Sequence, residues 1–113
     1  MKSNFKEVKV EIDPEVGVGL AKLVEGENVS LHLAVATGKL REHYHKQRDE
    51  IYIILEGEGV LTINGKEIRV KPGDVILIPK GSKHSIKPLD KELKFLFASA
   101  PPFNPKEDRF FTN

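Results

Sequence analysis

The sequence predicts an all-β domain, a small sandwich or barrel, on three observations. Nine Gly and seven Pro punctuate the 113 residues, so no helical 3.6-residue pattern survives for long. Between them stand short runs dominated by Val, Ile, Leu, Phe and Tyr, which suit a pleated, half-buried surface. Asn-Gly and Pro-Gly pairs separate several of these runs at turn spacing. Many short strands with regular turns point to a closed or two-layered β architecture.

Taken along the chain, the expected strands are Phe5–Ile12, Gly17–Val24, Val29–Ala36, Glu50–Glu56, Gly59–Ile63, Glu67–Val70, Asp74–Ile78, His84–Lys87 and Leu93–Ala98. Gly59–Ile63 and Glu67–Val70 flank Asn64-Gly65, two residues that tolerate positive φ, so they form a tight hairpin. Pro72-Gly73 and Pro79-Lys80-Gly81 are further turns. The tail Pro101-Pro102-Phe103-Asn104-Pro105 cannot pair as a central strand. It is expected to be an extended arm that wraps this subunit or a neighbour. Residues 1–113 therefore read as one domain, with a core of modest size.

Composition removes several function classes. Net charge is +1 and the basic residues alternate with acidic ones, so no stripe exists to neutralise phosphates and no nucleic-acid partner is expected. The chain has no cysteine, which excludes disulfide, thiolate and Cys-ligated zinc chemistry. No run approaches a membrane span and the first residues lack a signal-peptide core, so no membrane partner is expected and the chain reads as cytoplasmic. No Ser–His–Asp arrangement, phosphate-binding Gly loop or cofactor fingerprint is present.

The chemistry lies in His43-Tyr44-His45-Lys46-Gln47-Arg48-Asp49-Glu50. In an extended chain, residues two apart share a face at roughly 6–7 Å. Two imidazoles so placed can converge on an ion at ~2.1 Å from each nitrogen. A reversal over Lys46–Asp49 would return the Glu50 carboxylate beside them. Three of the four histidines lie in this segment or at His84. A lone His-x-His pair is more often a surface pair, so the spacing of Glu50 and His84 carries the weight.

That spacing resembles the cupin superfamily. The first cupin motif is matched by Gly38, His43, His45, Glu50 and Gly57, with one residue fewer than usual between Gly38 and His43. The second is matched by Gly73, Pro79, Gly81 and His84, with Pro88 where the family has Asn. The resemblance covers Gly38 to Pro88. It implies a double-stranded β-helix, or jelly-roll barrel, of the small single-domain kind. It also implies one divalent metal held by His43, His45, Glu50 and His84, with two positions left for water or substrate. Imidazole and carboxylate ligands without sulfur suit Mn, Fe, Co, Ni or Zn without choosing among them. The family also commonly forms homodimers.

The neighbours of the ligand set narrow the reading. If Glu50 points inward, alternation sends Tyr52 and Ile54 inward too, and Tyr52 becomes a hydrogen-bond donor or proton carrier near the metal. Glu50 itself is a candidate catalytic residue. Ile51, Ile53 and Leu55 then face outward and want cover, from a second layer or a partner subunit. His32, beside Ser30 and Ala34, is expected on the outer, wetter face. Phe95 and Phe97 are expected to pack the core. Lys83 and Arg41 are candidates for binding an anionic substrate. The expected function is that of a metal-dependent enzyme on a small polar molecule: a dioxygenase, a decarboxylase or a sugar-type (mannose-6-phosphate-like) isomerase. The alternative is a non-catalytic binding or sensor module.

Overall fold

The computed structural model describes residues 1–13, 17–104 and 106–112. Among the described residues, ten strands form two five-stranded antiparallel sheets. They are β1 (Val18–Glu25), β2 (Ser30–Ala36), β3 (Leu40–Tyr44), β4 (Asp49–Glu56), β5 (Gly59–Ile63), β6 (Lys66–Val70), β7 (Val75–Ile78), β8 (His84–Pro88), β9 (Leu93–Ala100) and β10 (Phe110–Phe111). The first sheet runs β1-β2-β9-β4-β7 and the second β10-β3-β8-β5-β6. Apart from the hairpins β1–β2 and β5–β6, consecutive strands alternate between the sheets. This is the jelly roll that the motifs imply.

The β5–β6 hairpin forms as expected, with Ile63 opposite Lys66. Asn64 and Gly65 take φ of 49° and 81°, the two left-handed residues that such a turn requires. Strand alternation then builds the interior. Leu61, Ile78, Ile86, Leu93, Ile54 and Phe95 are each 1% exposed or less and belong to one cluster drawn from both sheets. Burying each such side chain is worth roughly 1.5–3 kcal/mol. On β4, Tyr52 and Ile54 point inward with Glu50, while Ile51 is 40% exposed on the other face. Beside it on the edge strand β7, Val75 and Leu77 are 64% and 57% exposed.

Two expectations fail here. Phe5–Ile12 is not a paired strand; among the described residues nearby, only Asp13 bridges to Val18. Its alternating Val8, Val10 and Ile12 instead lie half-buried over the outer face of the first sheet, against Leu33 and Val35. Gly19 has no side chain to hold the segment off, and any Cβ there would run into the Glu11 carbonyl. Alternation specified which face is buried, not that a ladder partner exists.

The same cover explains His32, which is buried at 3% exposure rather than on the wetter face. Because the N-terminal segment shields Leu33 and Val35, the face with Ser30, His32 and Ala34 turns into the barrel. The His32 ring stacks on Phe97 at 4.6 Å and shares a hydrogen bond of 2.7 Å with the Ser30 hydroxyl. No described helix is long and apolar enough to cross a membrane.

Candidate metal centre

Strand β3, absent from the strands expected from composition, delivers the first histidine. Its register slips between Leu40 and His43, and His43 then stands opposite His84 on β8. The chain turns after Tyr44 and re-enters at Asp49, so Glu50 reaches in from the opposing sheet. The Gly81 N–H donates to the His45 carbonyl at 2.6 Å, tying the turn before β8 to the first motif. Gly81 has φ of 85°, which a β-branched or bulky residue would resist.

The four side chains named from the motifs meet at one point. A ring nitrogen from each of His43, His45 and His84 lies within 4.8 Å of the other two. Glu50 Oε1 is 3.0 Å from His45 Nε2 and 3.4 Å from His84 Nε2. All four residues are at most 5% exposed.

Each ring is oriented from behind by a backbone carbonyl. His43 Nδ1 donates to Arg41 O at 2.8 Å and His84 Nδ1 to Ser82 O at 2.9 Å. His45 Nδ1 lies 2.7 Å from Asp108 O and 2.8 Å from Arg48 Nη2. The carbonyl only accepts and the guanidinium only donates, so one of these is not a hydrogen bond. The Asp108 carbonyl is the partner that matches the other two rings. With the proton on Nδ1, all three rings present a bare Nε2 to the same space, the tautomer that ligation requires.

Those inward atoms lack partners. His45 Nε2, His84 Nε2 and Glu50 Oε1 are fully buried with no hydrogen bond, although His45 and Glu50 approach to 3.0 Å. Both atoms, with His84 Nε2, face the same small buried space. Native interiors leave few buried polar atoms unsatisfied, and an ion is one standard explanation.

Electrostatics suit a cation. Burial pushes the His43 pKa down to about 3, with the His84 ring adding to the fall, so this imidazole is neutral at physiological pH. Burial alone would raise the Glu50 carboxyl, but N–H donors and positive charge on the facing His45 and His84 rings, wherever their Nε2 atoms carry the protons that a cation would replace, outweigh it and hold Glu50 well below the usual carboxylate range. Burial, helped by the Glu50 charge, drives Tyr52 well above an ordinary phenol, so it keeps its proton.

The site opens into a cavity of about 370 Å³. This is near the low end of the ~300–1,000 Å³ typical of small-molecule sites. Tyr52, Phe95, Phe97 and Ala34 form its walls. Phe95 and Phe97 also belong to the core, so packing and lining are one role here. A larger groove of about 570 Å³ lies outside the barrel under the N-terminal segment, lined by no histidine. Arg41 lies on the rim of the metal-side cavity. Lys83 does not line it; it is exposed and its backbone N–H bonds to Asn64.

Several contributors were not singled out from the sequence. Arg48 is 2% exposed, sits 4.0 Å from Glu50 Oε2 and lies over the Phe103 ring at 4.7 Å. Its place inside the first motif was the available signal. The C-terminal arm wraps its own subunit, apart from Pro105 and Asn113, which lie outside the described residues. Its Asp108 carboxylate accepts from the Lys46 and Gln47 N–H groups at 2.7 and 3.0 Å. Phe110 and Phe111 pair with β3, and Phe111 lies 6.3 Å from the His43 ring. No local pattern announces these contacts, because they join residues far apart along the chain.

Comparison with known proteins agrees with the geometry. An uncharacterized protein of Methanocaldococcus jannaschii is 41% identical over 63 residues, 55% of this chain and 50% of its own length. An oxalate-binding protein of Thermotoga maritima is 46% identical over 55 residues, 48% of this chain and 46% of that one. The chain thus spans about half the length of these relatives. A more distant relative is the quercetin 2,3-dioxygenase of Bacillus subtilis, 33% identical over 49 residues, 43% of this chain and 14% of that one. Among solved structures, KdgF from a Halomonas species superposes with a TM-score of 0.82 over 94% of this chain and 96% of its own, at 18% identity, which shows a shared fold. The cupin domain family matches residues 29–99, the stretch that holds every residue of the histidine cluster, and the chain belongs to that family.

Proposed function

We propose that this protein is a metal-dependent enzyme acting on a small polar molecule, with one divalent transition metal held by His43, His45 and His84 through Nε2 and by Glu50 through Oε1. The observation that carries the proposal is the convergence of buried ring nitrogens and a carboxylate oxygen on one point without hydrogen bonds among them. The donor set is imidazole and carboxylate, which Mn, Fe, Co, Ni or Zn accept. Bound there, such an ion supplies Lewis acidity, or a water of lowered pKa, at the floor of the cavity.

The chain's own residues do the rest. The three carbonyls behind the rings fix their direction. Phe95, Phe97 and Phe103 line the cavity and exclude water from the reacting group. Tyr52, in the cavity wall and keeping its proton, is the candidate donor to a developing oxyanion. The dioxygenase among the relatives supports an O₂-dependent reaction ahead of a decarboxylation or a sugar-type isomerisation. The oxalate-binding relative favours a second reading, a binding module without turnover. A homodimer is part of the proposal, with Ile51, Val75 and Leu77 as the exposed apolar strip that a second copy would cover.

Oxygen uptake with the protein loaded in turn with Fe²⁺, Mn²⁺, Co²⁺, Ni²⁺ or Zn²⁺ tests the enzyme reading. Uptake with a small-molecule panel under Fe²⁺ supports a dioxygenase. Tight ligand binding with no turnover under any metal replaces that reading with the binding module.

A further inference from the structure

We infer that the molecule entering this cavity is an anion, carrying a carboxylate remote from the group that reaches the metal centre, and that Arg41 and Arg109 hold that carboxylate. The inference deepens the metal reading above and rests on it.

The charges around the cavity are one-sided. Lys39, Arg41 and Arg109 line it, and among the described residues the only carboxylate in its lining is Glu50, buried at the floor. None of the three cations has an ion-pair partner among the described residues; every described ion pair involves other side chains. Other surface cations also lack such partners; these three are set apart by lining one cavity together.

The two arginines also share one aromatic neighbour. The Arg41 guanidinium lies 4.2 Å from the centre of the Phe111 ring, and that of Arg109 lies 5.2 Å from the same centre. Two like charges sharing one ring repel each other, and an arriving anion relieves the repulsion. A guanidinium over an aromatic face keeps its N–H edge free for a carboxylate, which it can grip with two parallel hydrogen bonds.

Both arginines are coupled to the metal-side rings through the backbone. The Arg41 carbonyl orients His43, and Arg109 follows Asp108, whose carbonyl orients His45. Phe111 itself stands 6.3 Å from the His43 ring. The wall between rim and floor is aromatic, from Tyr52, Phe95 and Phe97. The matching ligand has an oxygen donor at one end, a flat or hydrocarbon body, and a carboxylate at the other.

Calorimetry on the full chain reconstituted with Ni²⁺, without oxygen, tests this using catechol, protocatechuate and dihydrocaffeate. All three share a chelating diol, and the last two add a carboxylate at different reach. At least one acid is expected to bind about tenfold tighter than catechol at low salt, the scale of one charge-assisted hydrogen-bond pair. The preference should shrink as salt rises. It should fall to near parity in Arg41→Gln/Arg109→Gln, persist in part in Arg41→Lys/Arg109→Lys, and survive whole in Lys83→Gln, which lies outside the cavity. Catechol binding as tightly as both acids, or a preference that survives the glutamine pair, overturns the inference. Nickel content is read on the same samples. Nickel present without a preference overturns the arginine clamp alone, whereas wild-type protein that takes up no nickel overturns the metal reading and this inference with it.

Discussion

Chelation should lower the Tm of this protein, and Ni²⁺ should restore it. His45 Nε2, His84 Nε2 and Glu50 Oε1 are buried without hydrogen bonds. Each such group costs about 1–3 kcal/mol. A metal that satisfies all three therefore has several kcal/mol of relief available. Mass action sets the observable part: at a free metal concentration a thousandfold above Kd, the folded state gains about 4 kcal/mol. With an unfolding entropy of about 2.1 cal/mol/K per residue, 1 kcal/mol moves the Tm of a chain this long by about 4 °C. The expected shift is therefore about 15 °C. Differential scanning calorimetry of one preparation, in EDTA and then in excess Ni²⁺, reads it directly. A shift below about 2 °C, or an equal shift in His43→Ala/His45→Ala, would refute the reasoning.

Three further expectations follow from the same geometry. In the metal-stripped protein, stability should fall as pH drops from 6.5 toward 3, because unfolded His43 takes a proton near 6.5 and folded His43 only near 3. The unfolded state then binds more protons, and the loss reaches about 2 kcal/mol by pH 5. Burial also lowers His32, which adds in the same direction. An unchanged urea midpoint between pH 7 and 5 would count against this. Arg48→Ala removes a buried guanidinium that faces Glu50 and covers Phe103, and should cost about 3 kcal/mol in urea unfolding without metal and less with it. Equal losses in both states would disconnect Arg48 from the site. Leu77→Lys, on the exposed strip of the edge strand β7, should convert a dimer to a monomer in sedimentation velocity, and a wild-type monomer would remove the dimer proposal.

What could be read from the sequence depended on how local the signal was. The β5–β6 hairpin was legible because Asn64-Gly65 and the alternation on either side are all local. The inward turn of Tyr52 beside Glu50 followed from the period of a strand. Phe5–Ile12 misled because alternation reports a covered face and says nothing of hydrogen-bond partners. His32 misled for the linked reason: its small neighbours read as the wet side until the N-terminal segment was seen to shield the other one. Strand β3 carries Arg41, Glu42 and His43 and has little β character, so its pairing with β8 comes from tertiary context. The meeting of His43, His45, Glu50 and His84 was reached through the family spacing, since His84 is remote from the others along the chain and becomes a neighbour of His43 only when β8 pairs with β3. Asp108, Arg109 and Phe111 carry no pattern that links them to His45 or His43, and only folding of the arm places them there.

Elemental analysis of protein purified without chelators tests the central claim most directly. The wild type should hold about one transition-metal ion per chain, as a single set of four convergent ligands requires. His43→Ala/His45→Ala, folded by circular dichroism, should hold almost none. Metal content unchanged in that variant, or a wild type that stays metal-free after incubation with Ni²⁺, Mn²⁺, Fe²⁺, Co²⁺ and Zn²⁺, would contradict the account.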